Sequence, residues 1–463
     1  MSIFRAIAEI NSFHNFQQVF GVQDITSARM HRDIREWYSL YYGEDLPEKE
    51  DGCQRIPVAV VQKLSKAVFS EYSANTTLQG TAGEAITDTL QGLETVRRRA
   101  MQQMLIGGTA FIKPIIGEKI RFAVISRRNF APFGRDADGN INDIGTMERT
   151  TQDGFVYTLL ERRHIDEDGC LIISSRLFRS RDEGSLGENV PLDTLPKYAD
   201  LIPENRLPEP MHSLGLIALR CPIENTVDGS PDAVSVYAPA VGLIHNINRN
   251  EALLNQEFEN GRSRIIASSD MINTDEEGRR NLDADLFVGV DEDVSNVGIT
   301  VFSPALRDEN YLNRKTEYLR NVESLIGFKR GVLSDVEETQ KTATEITSSA
   351  GEYSLTVQDF QQQWEKCLRE TVRVCAILGK MYGIWNAGEI DPENDIAVNW
   401  GNGILYDEDK EWSTLMSLVS GGYLKPEIAI AWKYDLPWDT PEDLNAIREK
   451  YMPQETQEAV IEE

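Results

Sequence analysis

The sequence has few of the residues that build covalent cross-links or metal centres. Its 463 residues include five cysteines and five histidines. The number of cysteines is odd, and no two of them have the Cys-x-x-Cys spacing. Cys367 and Cys375 fall on one predicted helix about 12 Å apart along its axis, which is too far for a disulfide. We therefore expect reduced, mostly buried thiols. The histidines are scattered without partners at ligand spacing, and we predict ordinary core or surface roles for them.

Long apolar runs are also missing. Nothing approaches 18 consecutive apolar residues, so the sequence predicts no segment that spans a bilayer and no membrane partner. The first 16 residues, MSIFRAIAEINSFHNF, carry one early arginine and a broken apolar run. This pattern differs from that of a secretory signal, and it predicts a cytoplasmic origin.

Catalytic signatures are absent from the sequence. The phosphate-binding pattern GxxxxGK[ST] does not occur, which argues against a packaging ATPase. There is no GxGxxG after a strand, no HExxH and no GxSxG. The acidic run Asp407, Glu408, Asp409 could hold Mg²⁺, but its position at a helix start has a simpler explanation in the helix dipole. We predict no catalytic residue, no metal and no cofactor. The alternative of a metal-dependent nucleic-acid-processing enzyme stays open.

Positive charge is in short supply. Lysine and arginine total 47 against 75 aspartates and glutamates, and the net charge is −28. The segment 384–463 alone has 18 acidic and 5 basic residues, a net charge of −13. Proteins that bind nucleic acid non-specifically carry a basic face, because neutralising phosphates drives their affinity. This chain therefore either never meets nucleic acid or meets it without holding it.

The first 180 residues predict helices followed by an antiparallel sheet. Helical spacing or capping glycines indicate helices over 34–43, 57–74 and 84–108, the last stopping at Gly107 and Gly108. Short β-branched and aromatic runs follow from residue 109, separated by Asp-Gly turns. The segment 136–143, DADGNIND, resembles a calcium loop, but its glycine comes two positions too early, and we predict a hairpin turn.

After a loop-rich stretch over 182–235, the pattern predicts an arm and a long helix. Helices over 237–261 and 306–327 flank three short strand-like runs between residues 264 and 303, which gives an arm about 30 Å long. A polar linker over 327–344 follows. Apolar residues then recur at alternating spacings of four and three and predict a helix of about 57 Å over 345–382, with Gly351 as a kink. Its stripe comprises Ile346, Ala350, Tyr353, Val357, Phe360, Trp364, Cys367, Val374, Leu378 and Met381. The stripe fits a coiled-coil seam or, as we prefer, a packed face. A strand over 396–400 and a helix starting near Asp407 come next.

This order of elements resembles the portal proteins of tailed bacteriophages, in particular those of siphophages of Gram-positive hosts. The likeness is carried by GGTAFIKPII, YTLLERRHI, the helix–strands–helix arm, IGFKRGVLSDVEETQKTATEI and WGNGILYDEDKEW. It covers nearly the whole chain in order, and its force comes from the combination of these segments.

The resemblance implies an α+β, portal-like fold: a helical and β wing, a two-helix stem, a small β clip, a long kinked spine helix and a helical crown. The implied regions are a wing over 1–236, stem helices over 237–262 and 306–326, a clip over 263–305, a tunnel loop over 327–344, the spine helix and a wing strand over 345–400, and the crown with the acidic C-terminus over 401–463.

The resemblance also implies a function without enzymatic activity. Members of the family form rings, usually of twelve subunits, at one capsid vertex, and double-stranded DNA passes through the channel during packaging and ejection. The implied partners are further copies of the chain, terminase, head-completion or adaptor proteins and the major capsid protein. The implied location is the virion, after assembly in the host cytoplasm. A different virion connector or adaptor is a further alternative.

Basic residues near the implied tunnel are the candidates for contact with DNA. These are Lys329, Arg330 and Lys341 in the loop, and Arg314, Lys315 and Arg320 on the preceding helix. Ordinary pairing is the competing interpretation, with Arg314 and Lys315 bound to Glu317 or Asp308 at subunit contacts. The densest basic run, residues 97–99, fans around a helix and predicts salt bridges rather than a flat DNA-binding face.

Overall fold

A computed structural model describes residues 15–44, 52–182, 184–261, 264–268, 287–290, 300–302, 306–334, 343–384, 390–401, 408–434, 436–438 and 440–452. Residues 264–268, 287–290, 300–302, 343–352, 408–411 and 414 are described by their backbone alone. The chain divides into two compact units, Met1–Trp400 and Gly401–Glu463. Helices and mainly antiparallel sheets occupy separate stretches of the chain, which is consistent with the predicted α+β class.

Three helices open the first unit: α1 (Ala28–Tyr42), α2 (Ile56–Val68) and α3 (Gly80–Gly107). The Ser27 hydroxyl caps α1 by accepting from the Met30 amide at 3.1 Å. The helix predicted over 57–74 is wrong at its end, because the chain leaves the helix after Val68 and forms a strand over 73–76. Pairing of that strand with the distant segment 396–399 accounts for the difference.

Gly108 ends α3, as the sequence predicts. Its φ of +81° is in the left-handed region, and its amide donates to the Met104 carbonyl at 2.8 Å. A Cβ at this position would come 2.2 Å from the Ala233 carbonyl oxygen. Glycine is therefore required both by the backbone conformation and by the neighbouring chain.

Among the residues that the structure describes, the strands of the first unit form four sheets. In chain order they are β1 (Ser73–Thr76), β2 (Thr109–Ile115), β3 (Arg121–Ile125), β4 (Phe130–Arg135), β5 (Ile141–Gln152), β6 (Phe155–Ile165), β7 (Leu171–Ser180), β8 (Glu188–Val190), β9 (Glu204–Arg206), β10 (Ile217–Arg220), β11 (Arg264–Ser268), β12 (Phe287–Val290), β13 (Thr300–Phe302) and β14 (Ile396–Asn399). β10, β2 and β3 make one sheet in that order. β4 to β8 pair in sequence, with β9 also on β7, while β14 pairs antiparallel with β1.

The turn between β4 and β5 is the hairpin turn predicted for DADGN. The Asp136 carboxylate accepts from the amides of Asp138 at 3.0 Å and Asn140 at 2.8 Å. This pattern of an aspartate binding the backbone of its own turn stabilises a tight hairpin. The carboxylate is therefore engaged with the backbone of the turn.

A buried ion network joins the six-stranded sheet to the sheet of β10, β2 and β3. The Glu161 carboxylate on β6 accepts from Lys113 of β2 at 2.9 Å and from Arg163 at 2.6 Å. Burial alone would raise the pKa of Glu161, but the two cations hold that pKa at about 2. The carboxylate is therefore ionised at neutral pH and ties one sheet to the other.

The predicted long helix is α6 (Ala343–Met381), and its stripe faces the core. Trp364 is fully buried, with its ring edge-on to Phe69, the residue that follows α2, at 5.3 Å between centroids. Tyr353, Val357, Phe360, Cys367, Val374 and Leu378 are buried as well, and Met381 packs against the core. The side chains of Ile346 and Ala350 lie outside the described part. The packed face is thus confirmed from Tyr353 onward.

Four of the five cysteines, Cys170, Cys221, Cys367 and Cys375, are buried free thiols, and Cys53 is half-buried. Burial raises the pKa of the Cys367 thiol to about 12. Such thiols are inert at neutral pH, because the thiolate is the reactive form.

The second unit contains α7 (Glu408–Ser420), α8 (Pro426–Lys433) and α9 (Pro441–Tyr451). Thr440 starts α9 with a capping box, since its hydroxyl accepts from the Asp443 amide and the Asp443 carboxylate accepts from the Thr440 amide. Glu427 of α8 is buried and binds Arg448 of α9 at 2.7 Å. No helix in the described ranges is long and apolar enough to cross a membrane.

Candidate functional site: the hairpin and the loop base

Two antiparallel helices, α4 (Val241–Asn260) and α5 (Asp308–Ile326), form an arm that we call the hairpin. Arg307 binds both carboxylate oxygens of Glu257 at 3.0 and 2.7 Å, and Lys315 binds Glu251 at 2.8 Å. The contacts run in opposite order along the two helices, which fixes their antiparallel register. The helices predicted over 237–261 and 306–327 are therefore confirmed with slightly shorter bounds.

The three predicted strands between the helices form a small sheet in the order β12, β11, β13. β11 and β12 are parallel, with Ile265 opposite Phe287, whereas β11 and β13 are antiparallel, with Ile265 opposite Val301. The chain between α4 and α5 thus contains a separate sheet, as the three strand-like runs predict.

The other end of the hairpin is fixed to the helices of the first unit. His245 of α4 is 2.8 Å from Glu36 of α1, and a hydrogen bond to this histidine lowers the pKa of the glutamate. Asn248 is buried and accepts from the Gln54 amide at 3.0 Å. Lys315 also reaches the Gln54 side chain at 2.9 Å. These contacts hold the start of the arm on a rigid support.

Residues 327–334, which we call the loop base, follow α5 and fold around one buried carboxylate. Glu323 is fully buried in the last turns of α5. Its oxygens accept from the amides of Gly331 at 3.3 Å and Ser334 at 2.8 Å, from the Leu333 amide, and from the Ser334 hydroxyl at 2.9 Å. A buried carboxylate needs such donors, because an unpaired charge there would cost several kcal/mol. Glu323 therefore determines the path of the chain after the hairpin.

Other contacts tie the loop base to α2 and α6. The Lys63 ammonium group of α2 donates to the Val332 carbonyl. The Thr356 hydroxyl of α6 donates to the Gly327 carbonyl at 3.2 Å, and the Phe328 ring lies edge-on to Tyr353 at 5.6 Å. Three helices thus hold this short segment in place.

Two of the predicted DNA-contact residues lie in the loop base. Lys329 is half-buried and Arg330 is exposed. Lys341 lies outside the described residues. Lys329 and Arg330 therefore extend from a segment whose backbone is held by hydrogen bonds to the Glu323 carboxylate.

Arg314 and Lys315 of α5 have partners within the hairpin. Arg314 is exposed, with its Nε donating to the Tyr318 hydroxyl at 2.9 Å and its guanidinium group 5.1 Å from the centre of that ring. Within one chain Lys315 reaches across to Glu251 on α4, and its pairing with Glu317 or Asp308 of a neighbouring subunit stays a prediction. Arg320 is half-buried on the same helix. Contact of Arg314 and Arg320 with DNA stays a prediction.

Glu323 was not among the residues predicted from the sequence. The signal was present, since an acidic residue stands beside Val322 and three before Ile326 on the buried face of α5. For Arg97 the expected pairing is confirmed: it binds Glu94 at 2.9 Å, and its guanidinium group is 4.8 Å from the ring centres of both Phe69 and Tyr72.

The metal-dependent alternative receives no support from the described side chains. Among them, no group of three or more His, Cys, Asp or Glu residues is placed to hold a metal ion. Asp407 lies outside the described residues, and Glu408 and Asp409 are described by their backbone alone. Metal binding there stays an untested alternative.

Comparisons with known proteins address the family. A search of the curated proteins finds no match. The family model described as phage portal protein, SPP1 Gp6-like, matches residues 31–450, which is nearly the whole chain and confirms the resemblance found in the sequence. Such a family implies a capsid-associated component of the virion. The hairpin and the loop base both lie within the matched range, and the chain belongs to the SPP1 Gp6-like family of phage portal proteins.

Proposed function

We propose that this chain forms a closed ring, with twelve subunits as the expected number, at a unique capsid vertex and conducts double-stranded DNA during packaging and ejection. In this proposal the hairpin is the stem, and the sheet between its helices is the clip on which terminase and then head-completion proteins dock. The major capsid protein surrounds the ring. The family match over residues 31–450 is the observation that carries the proposal.

The charge of the chain suits a conduit through which DNA slides. Tight neutralisation of phosphates would act as a brake, since each released counterion adds to the affinity. A net charge of −28 per subunit gives a ring a repulsive field that discourages sticking. The few cations that meet the duplex then centre it without binding it tightly.

We propose that Lys329 and Arg330 supply this local positive charge, with Lys341 further along the same loop. The contacts of Glu323, Lys63 and Thr356 keep the loop base in one conformation, which supports a defined position for the two cations. A fixed support lowers the entropy cost of each contact with a passing phosphate.

Electron microscopy of the purified protein tests the ring. Negative-stain images viewed down the axis should show a closed ring with a central opening. A stable monomer at high concentration under every salt condition would contradict the proposal, and so would an assembly without an opening.

Charge reversal tests the role of the loop base. The double variant Lys329→Glu, Arg330→Glu should assemble normally but reduce the amount of DNase-protected DNA per particle. The matched control is Arg98→Glu, Arg99→Glu, which makes the same charge change at two exposed residues of α3. Equal packaging by the two double variants would show that the loop-base cations have no special contact with DNA.

A further inference from the structure

Three leucines of the hairpin have about half of their surface in solvent, and two of them, Leu253 and Leu312, lie near its middle, whereas Leu325 is at the end of α5. Leu253 of α4 is 45% exposed and Leu312 of α5 is 50% exposed. The contacts described above that join the two helices are made by other residues. Covering these two side chains with another molecule would remove apolar area from water and so favour association.

The two leucines lie at the same level of the hairpin. Leu253 lies between Glu251 and Glu257 in α4. Leu312 lies between Arg307 and Lys315, which bind these two glutamates. At 1.5 Å of rise per residue, their Cα atoms are within about 3 Å of each other along the arm. A contact between copies that sit side by side would therefore meet both leucines at once.

The two side chains point to opposite sides of the hairpin. With 3.6 residues per turn, Leu253 is rotated by about 90° from the residues of α4 that contact α5, and Leu312 by about 100° from the residues of α5 that contact α4. Viewed from one end of the arm, both rotations have the same sense. Because the contact surfaces of the two helices face each other, similar rotations in the same direction place the two leucines on opposite sides of the hairpin. We call the side with Leu253 face A and the side with Leu312 face B.

The two faces differ in charge. By the same spacing, the exposed residues Arg249, Arg314 and Glu317 lie on face A, with a net charge of +1. The exposed residues Glu259 and Glu309 lie on face B, with a net charge of −2. Face A of one molecule therefore attracts face B of another, whereas face B repels a second face B.

We infer that neighbouring copies of this chain associate head to tail through the hairpin, face A against face B, so that Leu253 of one copy packs on Leu312 of the next. This inference rests on the proposed ring. A two-fold dimer would place the same face on both sides, whereas rotation about an axis along the arm repeats the A–B contact and keeps both leucines at one level.

Cysteine cross-linking tests the pairing. The variants Leu253→Cys and Leu312→Cys are made in a Cys53→Ser background, because Cys53 is the half-buried thiol and the other four are buried. Under mild oxidation, a co-assembled mixture of the two variants should give a cross-linked dimer, and each variant alone should not. The double variant Leu253→Cys, Leu312→Cys should give a ladder of multimers.

The outcomes separate this inference from the proposed ring. A ring in electron micrographs without a cross-link in the mixture would overturn the face A–face B contact and leave the ring intact. Cross-linking of Leu253→Cys to itself would also overturn it, since that requires A–A contact. A chain that stays monomeric throughout would overturn the ring and this inference together.

A charge placed on face B gives a second test. Leu312→Asp adds an acid to the apolar contact and should abolish the ring at a protein concentration where the unmodified chain assembles. The control Asn313→Asp makes the same charge change at the next exposed residue and should assemble. Circular dichroism should match for both, because Leu312 is half exposed in the folded chain. A ring formed by Leu312→Asp as readily as by the control would refute the contact.

Discussion

Replacing Glu323 by glutamine should release the loop base from the end of α5. One oxygen of this buried carboxylate accepts from the amides of Leu333 and Ser334, and the other accepts from the Gly331 amide and the Ser334 hydroxyl. Glutamine is nearly the same shape but has a single acceptor oxygen. The glutamine NH₂ group would stand where one carboxylate oxygen accepts from the Gly331 amide, so that amide would lose its acceptor. The remaining hydrogen bonds would be made to a neutral group instead of a charged one.

The magnitude follows from those four hydrogen bonds. A hydrogen bond to a charged group contributes about 1.5–3 kcal/mol, and a buried donor left without a partner costs about 1–3 kcal/mol. Losing one bond outright and weakening the others gives about 2–4 kcal/mol for opening the loop base. Since about 1.4 kcal/mol is a factor of ten, the amides of residues 331–334 should exchange about 30 to 700 times faster.

Native-state hydrogen exchange measures this change at the residues concerned. It suits a chain of two units better than a global unfolding curve, which does not define one free energy for such a chain. The control is Glu317→Gln, an exposed residue of the same helix, where the change should be within about 0.5 kcal/mol. Equal exchange in the two variants would refute the role of Glu323, and so would faster exchange spread evenly over the first unit.

Three further predictions concern the stability of the first unit, each measured by native-state hydrogen exchange of the slowest amides of that unit. The folded pKa of Glu161, about 2, is below its unfolded value, so the ion network should stabilise the protein by about 3 kcal/mol above pH 5. This stabilisation should be lost as the pH falls toward 2, and Glu161→Gln should remove the pH dependence. Arg97→Ala should cost about 1–2 kcal/mol through the lost ring contacts, and the exposed neighbour Arg98→Ala less than about 0.5 kcal/mol. Gly229 has a positive φ similar to that of Gly108 but open space around it, so Gly229→Ala should cost about 1 kcal/mol. Gly108→Ala should cost more, because its new Cβ would also meet the Ala233 carbonyl oxygen. Equal losses of stability in the two variants would refute that close contact.

The features predicted well from the sequence are those set by local chemistry. Gly43 and Gly108 end helices at the expected residues, because only a residue without a side chain adopts their positive φ cheaply. The turn at Asp136 likewise needs only its own neighbours to form. The apolar spacing of α6 also determined its buried face from Tyr353 onward.

The features predicted poorly depend on partners far away in the chain. The strand Ser73–Thr76 continues an apparent helix in the sequence, and it is extended because residues 396–399 pair with it. Lys315 has an acidic neighbour at i+2, but its partner Glu251 lies 64 residues earlier. The four bonds of Glu323 depend on how the chain folds back after α5, which no local pattern encodes. The candidate loop cations were reached through the family resemblance.

The pairing of β1 with β14 has a consequence for synthesis. Ser73 lies opposite Asn399, and Phe69 packs against Trp364, so the early helices acquire these partners only after more than half of the polypeptide has been made. Until then, α2 presents apolar surface that the finished subunit covers, and such surface is prone to aggregation. Nascent chains that stop before residue 364 should therefore be held by chaperones, whereas chains extended past residue 400 should be released.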